Sequence, residues 1–228
     1  MERFWNVRPS QAWRGGEVFP RGNGPFIRAA HGDHPAYELV VGRWQLIPWF
    51  SNTSQVAYAT NNARFEALTS KASYKQPWAR GQRCIIPAWS FDEPCWESGK
   101  NVWWRFRRAD GQPWGLAGLW NTWLDKSSGE LLESYTMLTL NADAHSLMRR
   151  MHKPDPNVGP DEQDKRSVVS IERKDVDRWL RGTLDEATPL VQLPPAGSLC
   201  SEPTLAASWN PHKGRQTLIA SRTESGRA

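Results

Sequence analysis

The chain has 228 residues, of which 39% are hydrophobic and 23% charged. That balance suits a soluble folded protein with one good-sized core and excludes a disordered chain. No apolar run approaches the ~18 residues of a membrane helix, and the N-terminus carries no signal-peptide pattern. With 29 Lys+Arg against 24 Asp+Glu, the formal charge is +5.

In chain order, residues 1–24 read as loops around one short helix. Tyr37–Leu46 is apolar and β-rich and predicts a strand, followed by a loop over 51–62. Ala63–Ser73 reads as helical, and the stretch up to Arg83 is basic, with Lys71, Lys75 and Arg80 among Tyr74 and Trp78. Arg83–Pro87 predicts a short buried strand. Asn101–Arg107 alternates as a strand does, Asp110-Gly111 marks a turn, and Trp114–Trp123 returns, so the pair reads as a hairpin. Ser134–Leu140 predicts a strand, Ala142–Met151 a helix that delivers His152, and 153–165 a polar loop. Arg166–Ile171 predicts a last strand and Lys174–Leu180 a helix; beyond about residue 200 a loose tail is expected. Many short strands with few helices predict an α+β fold with an antiparallel, barrel-like core and flanking helices.

The 14 tryptophans read first as a Trp-filled core; the alternative is a basic surface whose cations track phosphates while indoles stack on unpaired bases. Asn62 and Arg64 follow a loop, where an amide and a guanidinium suit a phosphate or sugar oxygen; the plainer reading is a loop cap and a surface cation. Glu93 lies among Trp89, Phe91 and Trp96, surroundings that raise a carboxyl pKa towards general acid–base work; the plainer reading is a solvated loop carboxylate. His152 is a proton shuttle or a structural imidazole. Cys84 reads as a buried small hydrophobe, and Cys95 as structural. The spacing of Cys84, Cys95 and Cys200 matches no zinc pattern, and three thiols cannot all pair, which fits a reducing cytosol.

The order of motifs resembles the SOS response-associated peptidase (SRAP) family of abasic-site processing proteins, from about Val18 to about Leu180. It is carried by Gly42–Trp49, Asn62-Ala63-Arg64-Phe65-Glu66, Arg80–Ala88, Phe91-Asp92-Glu93, Ala109–Pro113, Leu116–Trp120, and Thr139–Ala144 leading to Met151-His152. The resemblance implies an SRAP domain over 1–182 and a C-terminal extension over 183–228. It implies a protein that meets abasic sites in single-stranded DNA and captures the ring-opened sugar aldehyde with the amine and thiol of an N-terminal cysteine, exposed when the initiator Met is removed. An imine forms and closes to a thiazolidine crosslink, held at both heteroatoms. Carried over by position, Asn62 orients the cysteine and sugar, Glu93 moves protons at the amine, and His152 assists ring opening and reversal. Arg64 and Arg166 hold phosphates, with Arg83 in the same basic track, and Trp49 and Phe50 form a wedge that stacks on bases beside the lesion.

Three departures accompany the match. Met1 is followed by Glu2, and Glu2–Trp5 resembles the interior of the family's first helix, so the expected cysteine belongs some fifteen to twenty residues upstream. The family's Asp-Gly-Phe-Tyr-Glu-Trp is replaced by Trp89–Pro94, which keeps the Glu. The link from His152 to the next strand is longer than in many members. Two other functions compete: a non-catalytic single-stranded DNA-binding module on the same face, and a protease using Cys95, His152 and Glu93. No metal or organic cofactor is implied. A cytoplasmic monomer that joins the nucleoid during DNA damage, with no membrane partner, is expected.

Overall fold

The computed structural model describes residues 2–10, 12–30, 37–204 and 217–219. The strands are β1 (Val7–Pro9), β2 (Glu17–Val18), β3 (Asn23–Ala29), β4 (Tyr37–Trp44), β5 (Asn62–Arg64), β6 (Arg83–Ala88), β7 (Ser90–Cys95), β8 (Val102–Arg108), β9 (Trp114–Leu124), β10 (Leu131–Asn141), β11 (Arg166–Val168), β12 (Leu199–Pro203) and β13 (Thr217–Ile219). The α-helices are short: α1 (Glu2–Trp5), α2 (Ala72–Ala79), α3 (Val176–Arg181) and α4 (Leu184–Ala187). None is long and apolar enough to cross a membrane among the described residues. The fold class is α+β, as the sequence predicts.

Strands β4, β3, β6, β9 and β10 hydrogen-bond in that order, and β10 returns to β4, closing a five-stranded barrel. Every contact in the ring is antiparallel except the last, where Ser134 pairs with Arg43 and Tyr135 with Trp44 in parallel. The parallel seam is a matter of parity: an odd number of strands cannot alternate direction all the way round a ring. Closure removes the exposed edges that an open sheet would carry.

The period-two alternation of side chains sorts the core into two layers. Phe26, Val40, Trp44, Cys84, Ile86, Leu116, Tyr135 and Met137 form one cluster, and their strand neighbours Ile27, Leu39, Ile85, Ala117 and Leu138 form another. The second layer is covered by Trp5, Leu68, Trp78, Leu180 and Trp179, whose Nε1–H donates to the Cys84 carbonyl at 2.9 Å. All six residues of β6 are buried because both faces of that strand are covered.

A second sheet, ordered β12-β8-β7-β13-β2, stands beside the barrel. One residue, Trp89, separates β6 from β7, so the chain passes directly from barrel to second sheet. Phe91 and Cys95 of β7 join the Trp44–Tyr135 cluster, with Phe91 stacked on Phe106 at 5.2 Å.

Five expectations change. Asn101–Arg107 and Trp114–Trp123 do not form a hairpin: β8 pairs with β7 and β12 in the second sheet, while β9 pairs with β6 and β10 in the barrel. Ala63–Ser73 is not a helix: its first residues are taken by β5, which pairs in parallel with Met137–Thr139 of β10, and α2 begins only at Ala72. Ala142–Met151 holds turns and one 3-10 turn at Met148–Arg150. There the His145 Nδ1 accepts the amides of Leu147 and Met148 at 3.2 and 3.0 Å, which diverts donors a helix would use. Glu93 lies on a strand, not a loop. The C-terminal region is not loose throughout: β12 pairs with β8 and β13 joins β7 to β2. The rest of the expected tail, at 205–216 and 220–228, lies outside the described residues.

Candidate functional site

Alternation along β7 decides where the carboxylates go. Asp92 points away from the barrel and forms a two-pronged ion pair with Arg105, at 2.8 and 2.9 Å. Glu93 shares the face of Phe91 and Cys95 and is 3% exposed, so it is a buried carboxylate at the barrel side of the sheet. His152 meets it there, with Nε2 at 3.6 Å from Glu93 Oε2.

His152 is held on several sides. Its backbone is left-handed (φ 63°) and its amide donates to the Pro94 carbonyl at 2.5 Å. Its carbonyl accepts from Lys165 Nζ at 2.7 Å, and its Nε2–H donates to the Arg166 carbonyl at 3.0 Å. A carbonyl only accepts, so the neutral ring carries its hydrogen on Nε2. Burial pulls the imidazole pKa below its ordinary value, and the charge on Lys165 acts in the same direction against the Arg166 hydrogen bond. Burial likewise pulls down the pKa of Lys165, against the attraction of Asp143.

Contacts continue from His152 to the arginines. Arg166 donates to Glu66 at 2.6 and 3.0 Å, to Asp164 at 3.0 Å and to the Thr139 carbonyl at 3.0 Å, and its side chain is 14% exposed. Asp164 also pairs with Arg64 at 2.7 Å, whose side chain is 60% exposed. Glu66 stays below the usual carboxylate range, chiefly through its bonds to Arg166. On β5, Ala63 faces the outer core layer, which puts Asn62 and Arg64 together on the opposite face. Tyr74 fixes that strand by donating to the Asn62 carbonyl at 3.2 Å.

Trp49 and Phe50 are 59% and 42% exposed and meet edge to face at 5.6 Å. Their loop is tied at its base: Leu46 N donates to Thr60 O at 3.2 Å, and Thr60 Oγ1 to Leu46 O at 2.7 Å. Trp123 Nε1 pins its far side through the Ser51 carbonyl at 2.9 Å. The loop that bears Trp49 and Phe50 therefore runs straight into β5.

Arg83 is a correction. It is 3% exposed, and its guanidinium donates to the Trp179 and Gly182 carbonyls at the end of α3, which removes it from any DNA face. Cys95 is buried, with its thiol directed to Glu97 at 3.8 Å. Sequence reasoning missed Asp164 and Lys165, whose partners only the folded chain brings near. It also missed Tyr58, 50% exposed on the same loop as Trp49 and Phe50. Among the described residues no group of three or more His, Cys, Asp or Glu could hold a metal. Chemically the arrangement offers a buried carboxylate and a neutral imidazole for proton movement, with cations and exposed aromatics beyond them.

Residues 5–203 match the family model for SOS response associated peptidase (SRAP). The chain is 31% identical over 142 residues to "Abasic site processing protein HMCES" of Xenopus tropicalis, covering 53% of this chain and 41% of that protein. It is 31% identical over 126 residues to "Abasic site processing protein YoqW" of Bacillus subtilis, covering 54% of each. The chain thus spans about half the length of these curated relatives or less. A crystal structure of a Bordetella bronchiseptica protein superposes with a TM-score of 0.79 at 34% identity, over 90% of this chain and 94% of that one. A Bacteroides thetaiotaomicron protein, 21% identical with a TM-score of 0.67, shares the fold.

Proposed function

The chain belongs to the SOS response associated peptidase family, and from that premise we propose that it processes abasic sites in single-stranded DNA by capturing the ring-opened sugar. The observation that carries the reading is the buried Glu93 carboxylate 3.6 Å from a His152 that burial keeps neutral.

In this reading Arg64 and Arg166 hold phosphates, Trp49 and Phe50 stack on the bases beside the lesion, and Asn62 orients the sugar. The C1′ aldehyde meets the amine of a 1,2-aminothiol, which the family resemblance assigns to an N-terminal cysteine of the mature protein. Removal of the residue before that cysteine is the peptidase step. Glu93 relays both amine protons in turn to the aldehyde oxygen, the first to give the carbinolamine and the second as the oxygen leaves as water and the imine forms. The thiol then adds across the C=N bond: sulfur bonds to carbon, the proton goes to nitrogen, and the thiazolidine closes. Neutral His152 serves the sugar ring oxygen during opening and during reversal.

The test uses protein made from its own gene and an abasic single-stranded oligonucleotide on a denaturing gel. A heat-stable crosslink is expected, formed about 100-fold more slowly by Glu93→Gln. A wild type that forms no crosslink and binds intact and abasic strands equally would sink this reading. It would leave the non-catalytic single-strand binding module, which the exposure of Trp49 and Phe50 favours.

A further inference from the structure

A cavity of about 460 Å³ opens beside His152, between the start of the 153–165 link and the end of β7. Its size falls in the range that takes a small organic ligand. Trp96, Val158 and Pro160 give it an apolar wall, and Arg149, Arg150 and Lys165 line it with cations. The family resemblance accounts for His152 and Arg166 but not for the long link between them, and that link builds one wall of this cavity.

The wall is ordered before any ligand arrives. The Gln163 amide donates to the carbonyls of Asp155, Val158 and Gly159 at 3.1, 3.1 and 3.0 Å, and its oxygen accepts the Asp155 amide at 2.8 Å. One side chain thereby closes the loop on itself and holds Val158 in solvent, 41% exposed. The cations are held by exchangeable partners: Arg149 by Asp161 at 3.2 Å and Arg150 by Glu97 at 2.7 Å, all four side chains more than a third exposed. Surface pairs of this kind give little stability and yield readily to a phosphate. Lys153, 5.3 Å from the Trp96 ring, adds a cation at the rim.

We propose that this cavity is a nucleotide subsite, which takes one nucleotide of the single strand next to the lesion, its base against Trp96 and its phosphate against Arg149 and Arg150. An aromatic and apolar wall facing a cationic one matches the two chemistries of a nucleotide and no single-chemistry ligand. Its place beside His152 makes the occupant a neighbour of the lesion and not a free mononucleotide. The assignment rests on the proposed binding of abasic single strands.

Equilibrium binding of single strands whose abasic site is a tetrahydrofuran analogue, which has no aldehyde to capture, tests it. The nucleotide on one side of the lesion, then on the other, is replaced by a propyl spacer that keeps the phosphate. On one side the spacer should weaken wild-type binding roughly tenfold, the effect of one lost base stack. Trp96→Ala should weaken binding to the natural strand by the same factor and be indifferent to that spacer. Val158→Asp, on an exposed loop position, should act likewise and guards against a folding defect in the first variant. The inference is overturned if the spacer and variant effects simply add, or if neither spacer matters, while wild type still prefers abasic to intact strands. Loss of that preference in the wild type would instead overturn the abasic-site reading, and the subsite with it.

Discussion

His152 occupies a backbone conformation (φ 63°) that costs a non-glycine residue about 1 kcal/mol or more, and three hydrogen bonds hold it there. Its side chain makes a pH signature. The folded-state pKa lies below the unfolded value of about 6.5, so the folded protein binds fewer protons than the unfolded one as the pH falls. The stability linked to His152 is therefore complete above about pH 6.5 and is lost as the pH drops through the folded value. Urea unfolding between pH 7 and 5 should show a shallower fall for His152→Asn, which tolerates the left-handed backbone; an unchanged slope would place the pH dependence elsewhere. Two arginines give a contrasting pair. Arg83 is buried and bonded to two carbonyls at the end of α3, so Arg83→Met should destabilise the fold by about 2–3 kcal/mol and leave the DNA affinity of folded protein unchanged. Arg64 is exposed and pairs only at the surface, so Arg64→Gln should leave unfolding midpoints within error and weaken DNA binding.

Among the elements, the β4–β10 seam carries the closure of the barrel, and Gly42 permits it. A Cβ at that position would lie 2.9 Å from the Glu133 backbone carbon and oxygen on β10, and 2.9 Å from Phe26. Backbone cannot step aside cheaply inside a closed ring, so Gly42→Ala should cost about 1–3 kcal/mol, read as a lower urea midpoint. Gly197→Ala meets open space and serves as the neutral control. Equal stability of the two variants would mean that the seam is dispensable. The same contact explains a limit of sequence reading. Strands rich in apolar and β-forming residues, such as Tyr37–Trp44 and Trp114–Leu124, are legible from their residues. Asn62–Arg64 is not, because its strand character comes from pairing with Met137–Thr139 and not from its own side chains. The apparent helix at Ala142–Met151 fails for a related reason: His145 bonds the Leu147 and Met148 amides and, through Nε2, the Pro194 carbonyl at 2.9 Å.

For the whole molecule, the formal charge of +5 is spread over cations with very different freedom. If Arg64 and Arg166 each neutralise one phosphate, each should contribute about 0.7 to the slope of log affinity against log salt on a single strand. Binding titrations between low and high salt should show Arg64→Gln lowering the slope by about that amount; an unchanged slope would take Arg64 off the phosphate track. The tryptophans divide in a similar way. Trp5, Trp44, Trp78, Trp114, Trp123 and Trp179 are buried in the core, while Trp49 stands 59% exposed beside Phe50. The amino-acid sequence by itself determined the family and the α+β class and nominated Asn62, Arg64, Glu93 and His152 as site candidates, because motif order and strand character are written in neighbouring residues. It also signalled the long link after His152. Only the tertiary structure decided that Glu93 is buried beside His152, that Asp164 joins Arg64 to Arg166, that Arg83 is locked under α3, and that the long link walls a cavity. Burial and pairing depend on which distant strands meet when the ring closes, and no local pattern carries that information.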